Sequence, residues 1–302
     1  MAHDHDHHHH APDHFGFAFA VATALNLVLV IAQVIYGVAA HSVALLADAG
    51  HNFGDVLGLV LAWGAHVLAR RQPTQRYTYG LRSASILSAL LNAVTLLVAT
   101  GAIAWEAIRR LFEPGPVEGG VVMAVAAIGF VVNGASAWLL VAGRKGDLNV
   151  RGAFLHLMAD AGVSVGVVAA GAAILLTGWT WIDPIASLAI SLVIVWGTWG
   201  LLREAAQLAM DAVPAGINPS AVRRLLEARA GVSSVHDLHI WAISTTENAL
   251  TAHLVMPKGH PGDEFLSEVC HDLAHRFTIN HATLQIEVAD AGVCALEPDH
   301  VV

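Results

Sequence analysis

Apolar residues along this chain arrive in six blocks of about twenty or more, the length an α-helix needs to cross a hydrocarbon core of roughly 30 Å. Each block is closed by polar or turn-forming residues. The pattern predicts spans at about Phe15–Val38, from the His41-Ser42 turn to Arg70-Arg71, and at Leu81–Leu111, Val117–Ala142, Gly152–Thr177 and Pro184–Ala212. The Glu113-Pro-Gly-Pro116 turn parts the third span from the fourth, and a tight Trp179–Asp183 turn joins the last two. No Lys or Arg precedes the first block, which also outruns a signal-peptide core, so it is expected to stay in the membrane.

From Pro214 the pattern becomes that of a small soluble domain. A helical stretch at Pro219–Arg229 ends at Gly231, and alternating runs at His236–Ser244 and Ala249–Met256 read as strands. A helix at Asp263–Phe277 and a strand at Thr283–Val288 complete the order αββαβ. The expected fold is therefore an all-α six-helix transmembrane domain, 15–212, followed by a small cytosolic α+β domain of ferredoxin-like order, 213–302. Residues 1–14 form a polar tail. A sheet this small gains from burying a face against a partner subunit.

Composition agrees with a bilayer as solvent: 56% of residues are hydrophobic and 13% charged, about half the charged share of a soluble domain. A net charge of −9 argues against nucleic acid as a partner, and 19 histidines make that charge sensitive to pH. Cys270 and Cys294 read as free cytosolic thiols rather than a disulfide framework. Arg70, Arg71, Arg76, Arg82, Arg144, Lys145, Arg151 and Arg203 flank loops on one face, against Arg109 and Arg110 on the other. The excess of positive charge places both termini in the cytoplasm of a cell with this chain in its inner membrane.

Ionisable groups inside a membrane helix cost at least about 2.5–3.5 kcal/mol each, so several on one stripe point to function. In the second span Asp48, His51 and Asp55 stand at i, i+3 and i+7, and the fifth span carries His156 and Asp160 at i and i+4. Two His-x-x-x-Asp pairs on separate helices can converge into two imidazole nitrogens and two carboxylates, a tetrahedral set suited to zinc, cobalt or cadmium and poor for magnesium or calcium. Asp48 reads as a supporting carboxylate that orients His51. Asn26, Gln33, Asn92 and Asn133 are expected to bond between helices. Tail histidines His3, His5, His7, His8, His9, His10 and His14 form a metal-capturing tract.

Five stretches together resemble the cation diffusion facilitator family, in particular its bacterial cobalt-zinc-cadmium resistance branch and the related zinc transporters. They are Ser42-Val-Ala-Leu-Leu-Ala-Asp-Ala-Gly-His-Asn-Phe-Gly-Asp55, Arg76-Tyr-Thr-Tyr-Gly80, His156-Leu-Met-Ala-Asp160, Asp183-Pro-Ile-Ala-Ser187 and His236-Asp-Leu-His-Ile-Trp241. The resemblance implies a homodimer whose C-terminal domains pair in the cytosol, export of zinc in exchange for protons, and His51, Asp55, His156 and Asp160 as the transport site. It also implies a regulatory metal site at His236 and His253, with Glu287 and with Asp263 or His260 nearby. Where the family commonly has Arg-x-x-Glu, this chain reads Arg82-Ser-Ala-Ser85. The loop Gln72–Tyr77 lacks the His and Asp ligands of a second metal site found in some relatives.

Metal ligands must shed protons to bind, so such a cluster couples zinc to a proton gradient directly. No organic cofactor is expected. The alternative is a membrane-bound sensor or buffer that binds metal without moving it. An intramembrane zinc hydrolase would need an open ligand position and usually a His-Glu-x-x-His motif, which the sequence lacks.

Overall fold

The computed structural model describes residues 13–141, 148–288 and 294. Most of the histidine tail lies outside them. Six helices come first: α1 (Asp13–Ala39), α2 (Val43–Ala69), α3 (Ala84–Phe112), α4 (Gly119–Leu140), α5 (Leu148–Thr177) and α6 (Ile182–Ala209). Helices α2 to α6 are long and apolar enough to span a bilayer, and α1 carries an apolar stretch at Thr23–Ala39. Their outward faces are greasy: Trp105, Trp138 and Trp196 leave 71%, 74% and 83% of their surface uncovered, which suits lipid rather than water.

The third helix begins three residues later than the apolar run suggests. Gly80 sits at φ +72°, its N–H bonded 2.9 Å to the Tyr77 carbonyl, so the backbone is still turning through Leu81. At φ > 0 a side chain would strain this turn, and glycine avoids the strain.

The chain divides into two compact units, one within Met1–Val60 and Asn92–Trp199, the other within Leu61–Leu91 and Gly200–Val302. In the first, α4 packs against α5 and α1. Close approach is set by glycine: a Cβ at Gly171 would lie 2.8 Å from the Met123 amide nitrogen, and one at Gly119 would lie 2.8 Å from the Gly171 carbonyl oxygen. Small residues at these crossings let two backbones touch, which is how membrane helices gain packing energy without a hydrophobic drive between them. Leu45, Val122, Val125, Ala126 and Val167 fill the space beside them.

The start of α2 is tied down from 140 residues away. Helix N-termini leave backbone N–H groups without partners, and here Asp183, fully buried at the start of α6, supplies the acceptor. Its carboxylate takes the Ser42 hydroxyl, the Val43 N–H at 2.6 Å and the Ala44 N–H at 3.4 Å. Val43 and Ala44 open the helix that carries His51 and Asp55, so Asp183 fixes where the stripe of these two residues begins.

The second unit contains the α+β domain: α7 (Pro219–Glu227), β1 (Ser234–Ala242), β2 (Asn248–Val255), α8 (Asp263–Phe277) and β3 (Ile279–Glu287). The sheet order is β1-β2-β3, with β1 antiparallel to β2 and β3 parallel to it. Asn218 caps α7 through its side chain, which accepts the Ala221 N–H at 3.2 Å, and Pro219 follows where its missing N–H costs nothing. Val222, Leu226, Leu250, Leu254, Val269 and Leu273 are fully buried and make the core. Strand β3 starts four residues earlier than its alternation suggests. Thr278 ends α8 in a left-handed turn (φ 55°), and the chain passes straight into Ile279, which is buried and pairs with Asn248.

Replacing Asp183 with Ala strands one hydroxyl and two backbone donors in a buried setting, at about 1–3 kcal/mol for each group that finds no water. The midpoint of thermal unfolding in detergent is expected to fall clearly for Asp183→Ala and less for Asp183→Asn, which keeps one acceptor. Equal midpoints for wild type and the alanine variant would refute this role.

Candidate metal centres

Helices α2 and α5 bring His51, Asp55, His156 and Asp160 together inside the first unit. His51 Nε2 lies 3.0 Å from Asp160 Oδ1, and His156 Nε2 lies 3.1 Å from Asp55 Oδ2 and 3.7 Å from Asp160 Oδ2. The pairing is crossed, each histidine reaching a carboxylate of the other helix. Ligand atoms of His51, Asp55 and Asp160 all fall within 4.8 Å of one another, and the two imidazole rings meet edge to face at 5.9 Å. Zinc bonds of about 2.0–2.1 Å set the edge of a tetrahedron at roughly 3.3–3.4 Å. The three His–carboxylate separations straddle that value; His51, Asp55 and Asp160 make a three-ligand group, and His156 stands at its edge within reach of both carboxylates. Asp160 is almost wholly buried, at 3% exposure, while the His156 side chain is 47% exposed and forms the open side.

Asp48 is fully buried one turn before His51. Its expected bond to His51 is not made: Asp48 Oδ1 and His51 Nδ1 are both buried without hydrogen-bond partners. Instead the Gln33 side-chain amide of α1 donates to Asp48 Oδ2 at 2.6 Å, and Asn52 donates to Gln33 Oε1 at 3.1 Å. The Asn52 bond fixes which end of Gln33 faces Asp48, since the amide oxygen is already taken. Gln33 thus joins α1 to the helix that carries His51 and Asp55.

A second constellation lies on the sheet. His236 and His253 face each other across β1 and β2, their rings 5.2 Å apart, and Glu287 ends β3 beside them. Glu287 Oε2 is 3.2 Å from His236 Nε2, and Glu287 Oε1 is 2.9 Å from His253 Nδ1. Cys294 brings its sulfur to 3.7 Å from the same His253 nitrogen. All four offer ligand atoms within 4.8 Å of one another. His236 Nε2 is buried and makes no well-aligned hydrogen bond despite its closeness to Glu287, and imidazole nitrogens beside a carboxylate and a thiol suit zinc or a softer ion. Burial works against charge on Glu287, but the Cys294 thiol and the nearby His236 and His253 outweigh it and hold the carboxyl below its ordinary range.

Sequence reasoning missed two members of this group. Cys294, read as a free thiol, stands seven residues beyond the last strand, and no local spacing announces it. Asp237 holds His253 Nε2 at 3.3 Å and His239 Nε2 at 2.8 Å. It can do so because β1 bulges between His236 and His239, with Asp237 at φ 49°; the extra residue turns a side chain toward the face it would otherwise leave. Its place inside His236-Asp-Leu-His239 was the available signal. His260 and Asp263 are not brought to the centre. His260 Nδ1 accepts the Gly262 N–H at 3.1 Å in a turn, and Asp263 opens α8, where a carboxylate favours the helix N-terminus.

Ser85, which stands where the resemblance leads one to expect glutamate, also has partners. Its hydroxyl donates to the Arg82 carbonyl at 2.9 Å and accepts the Thr245 N–H at 3.1 Å. Arg82 pairs with Glu247, and the Ser83 hydroxyl donates to the Ile243 carbonyl at 3.1 Å.

Comparison with known proteins agrees with this architecture. A model of the cation efflux transmembrane domain matches residues 19–208, and one of the cation efflux protein cytoplasmic domain matches 214–289. The chain is 38% identical to zinc transporter ZitB of Escherichia coli over 259 residues, covering 85% of this chain and 82% of that one. It is 36% identical over 260 residues to the metal cation efflux system protein CzcD of Cupriavidus metallidurans, covering 86% and 82%. It is 34% identical over 262 residues to a cadmium, cobalt and zinc/H(+)-K(+) antiporter of Bacillus subtilis, covering 85% and 84%. Relatives of this kind move cations across membranes and are not enzymes. With helices fit to span a bilayer and matches over both of its parts, the chain belongs to the cation efflux, or cation diffusion facilitator, family of multi-pass membrane transporters.

Proposed function

We propose that the protein exports zinc, with cobalt and cadmium as further substrates, from the cytosol in exchange for protons, and that His51, Asp55, His156 and Asp160 carry the ion. One observation bears most of the weight: the crossed His51–Asp160 and His156–Asp55 pairs, which bring two imidazoles and two carboxylates into contact between two membrane helices. Without metal, each carboxylate keeps an imidazole as its partner. A zinc ion entering the cluster displaces the imidazole protons, and protons arriving from the other side displace the zinc. Access through the exposed His156 edge, alternating between sides as the helices rearrange, turns that competition into antiport.

The chain acts as a homodimer in the inner membrane with both termini cytoplasmic, in keeping with the excess of basic residues on that face. His236, His253, Glu287 and Cys294 form a cytosolic metal centre that reports zinc supply to the transporter. Their donor set supports this role: two imidazoles, one carboxylate and one thiol make a closed four-ligand set of the kind structural and sensory zinc sites use. Asp237 acts behind them, orienting His253 through the ring nitrogen turned away from Glu287, as carboxylates behind metal-bound histidines do.

Proteoliposomes test the transport reading. Zinc uptake should rise with an opposing proton gradient and fall by at least about tenfold in His51→Ala and Asp160→Ala, the loss expected when a metal ligand or its close support is removed. Zinc flux that ignores the pH gradient would rule out antiport. His156→Asp should narrow the preference for zinc over cadmium, because it trades a nitrogen ligand for an oxygen one; unchanged rate and preference would show that His156 does not select the metal.

The cytosolic centre has its own test. Cys294→Ser and His253→Ala should weaken the rise of transport with cytosolic zinc while leaving the rate at saturating zinc near wild type. A wild-type zinc response in both variants would remove the regulatory assignment. Transport by the chain lacking residues 1–14 separates export from buffering by the tail: an exporter largely keeps its activity, a buffer does not.

A further inference from the structure

Away from both centres, α8 carries the sequence His271-Asp-Leu-Ala-His275. A spacing of four puts both imidazoles on one helical face, one turn apart, and their ring centroids lie 4.2 Å from each other with both residues exposed. Two histidines at i and i+4 are a proven way for a single helix to grip zinc, since their nitrogens can reach one ion without moving the backbone. Glu268, one turn before His271, extends the stripe. Together with His271, Asp272, Arg229 and Ser267 it lines a surface cavity of about 340 Å³.

The surroundings favour a cation there. His275 lies in the last turn of α8, where the unpaired carbonyls give the helix its negative end. The two nearby arginines are engaged elsewhere: Arg229 pairs with Asp272, and Arg276 lies 3.7 Å from the same carboxylate. Asp272 thus engages both arginines in ion pairs, and Arg229, which lines the cavity beside His271, has its charge already matched there. Glu268 adds negative charge on the open side.

We propose that His271 and His275 form a third metal site, on the surface of α8, that takes one zinc ion or a similar imidazole-preferring divalent cation. Water fills the remaining positions. Two protein ligands open to solvent bind more weakly than the four buried ligands of the sheet centre, so the two sites fill in sequence as free zinc rises. The α8 site gives the soluble domain a response to zinc excess, after the sheet centre is already full.

Equilibrium dialysis of the full chain in detergent, with zinc alone as the probe, tests this. Zinc bound per chain is measured across a range of free zinc for wild type, His271→Ala, His275→Ala and the double glutamine variant H271Q/H275Q. Each variant should bind one ion fewer per chain at high free zinc, with binding at low free zinc unchanged. Ions held by the tail and by the other centres are common to all four proteins and cancel in the difference. A thermal unfolding midpoint in zinc-free detergent buffer, unchanged from wild type, certifies that each variant is folded. Equal zinc content in wild type and the double variant overturns the proposal. So does a loss that appears only in the double variant, because a chelating pair fails when either partner is removed.

Discussion

Two carboxylates inside a membrane domain must find positive charge, and the rest of this structure is arranged around how Asp55 and Asp160 do so. An unpaired carboxylate at such depth is costly, and two near each other are costlier still. The groups brought to them are imidazoles from the facing helix, His156 to Asp55 and His51 to Asp160. Arginine or lysine would satisfy the same carboxylates permanently. Histidine is the basic side chain that can give up its proton near neutral pH, so the compensation can be handed over to a metal ion. In the exchange proposed above, such a pairing stabilises the metal-free cluster and can still be undone.

The crossed geometry demands that α2 and α5 hold a fixed register, and a few of the polar groups of the first unit serve that end. Asp183 anchors the first turn of α2 by its backbone, so the stripe that carries His51 and Asp55 begins at a set height. Gln33 reaches Asp48 from α1 and is itself turned the right way by Asn52. On the other side, Gly119 and Gly171 let α4 and α5 approach until backbone meets backbone. These are local devices with one result: helices that would otherwise slide on apolar surfaces are keyed by a few polar bonds and two missing side chains.

Much of this was legible in the chain. Apolar length gave six helices, and the i, i+4 spacing of His51 with Asp55 and of His156 with Asp160 pointed to one shared cluster, since a period of 3.6 leaves little choice of face. What stayed hidden depends on contacts between residues far apart. Asp183 reads as the polar end of a turn until the structure sets it on α2. Asp48 looked like a support for His51 because the two share a stripe, yet a residue from α1 claims it. Cys294 has no periodicity to give it away, and Asp237 needs a bulge that alternation does not reveal. The early start of β3 escaped notice because Asn280 and His281 are polar and exposed; the ladder skips Asn280 between the Ile279 and His281 pairs, and only the buried Ile279 betrays that the strand has begun.

The substitution of serine for the expected glutamate at position 85 is informative about the second unit. A glutamate there would place an acceptor at the start of α3; serine offers a shorter hydroxyl that both donates and accepts, and it uses both capacities, toward Arg82 and Thr245. The carboxylate beside it comes from elsewhere: Glu247, in the turn between β1 and β2, pairs with Arg82. Ser83 adds a bond to Ile243, and Tyr79 packs edge-on against His281 of β3 at 5.3 Å. The loop ahead of α3 is therefore fastened to the ends of all three strands, and β1 and β2 are the strands that carry His236 and His253. A shift in those strands cannot reach their connecting turn without pulling on the first residues of α3. An exposed ion pair alone would be too weak to transmit such a shift, but Ser83 and Ser85 bind backbone groups, and backbone bonds move with the strand itself.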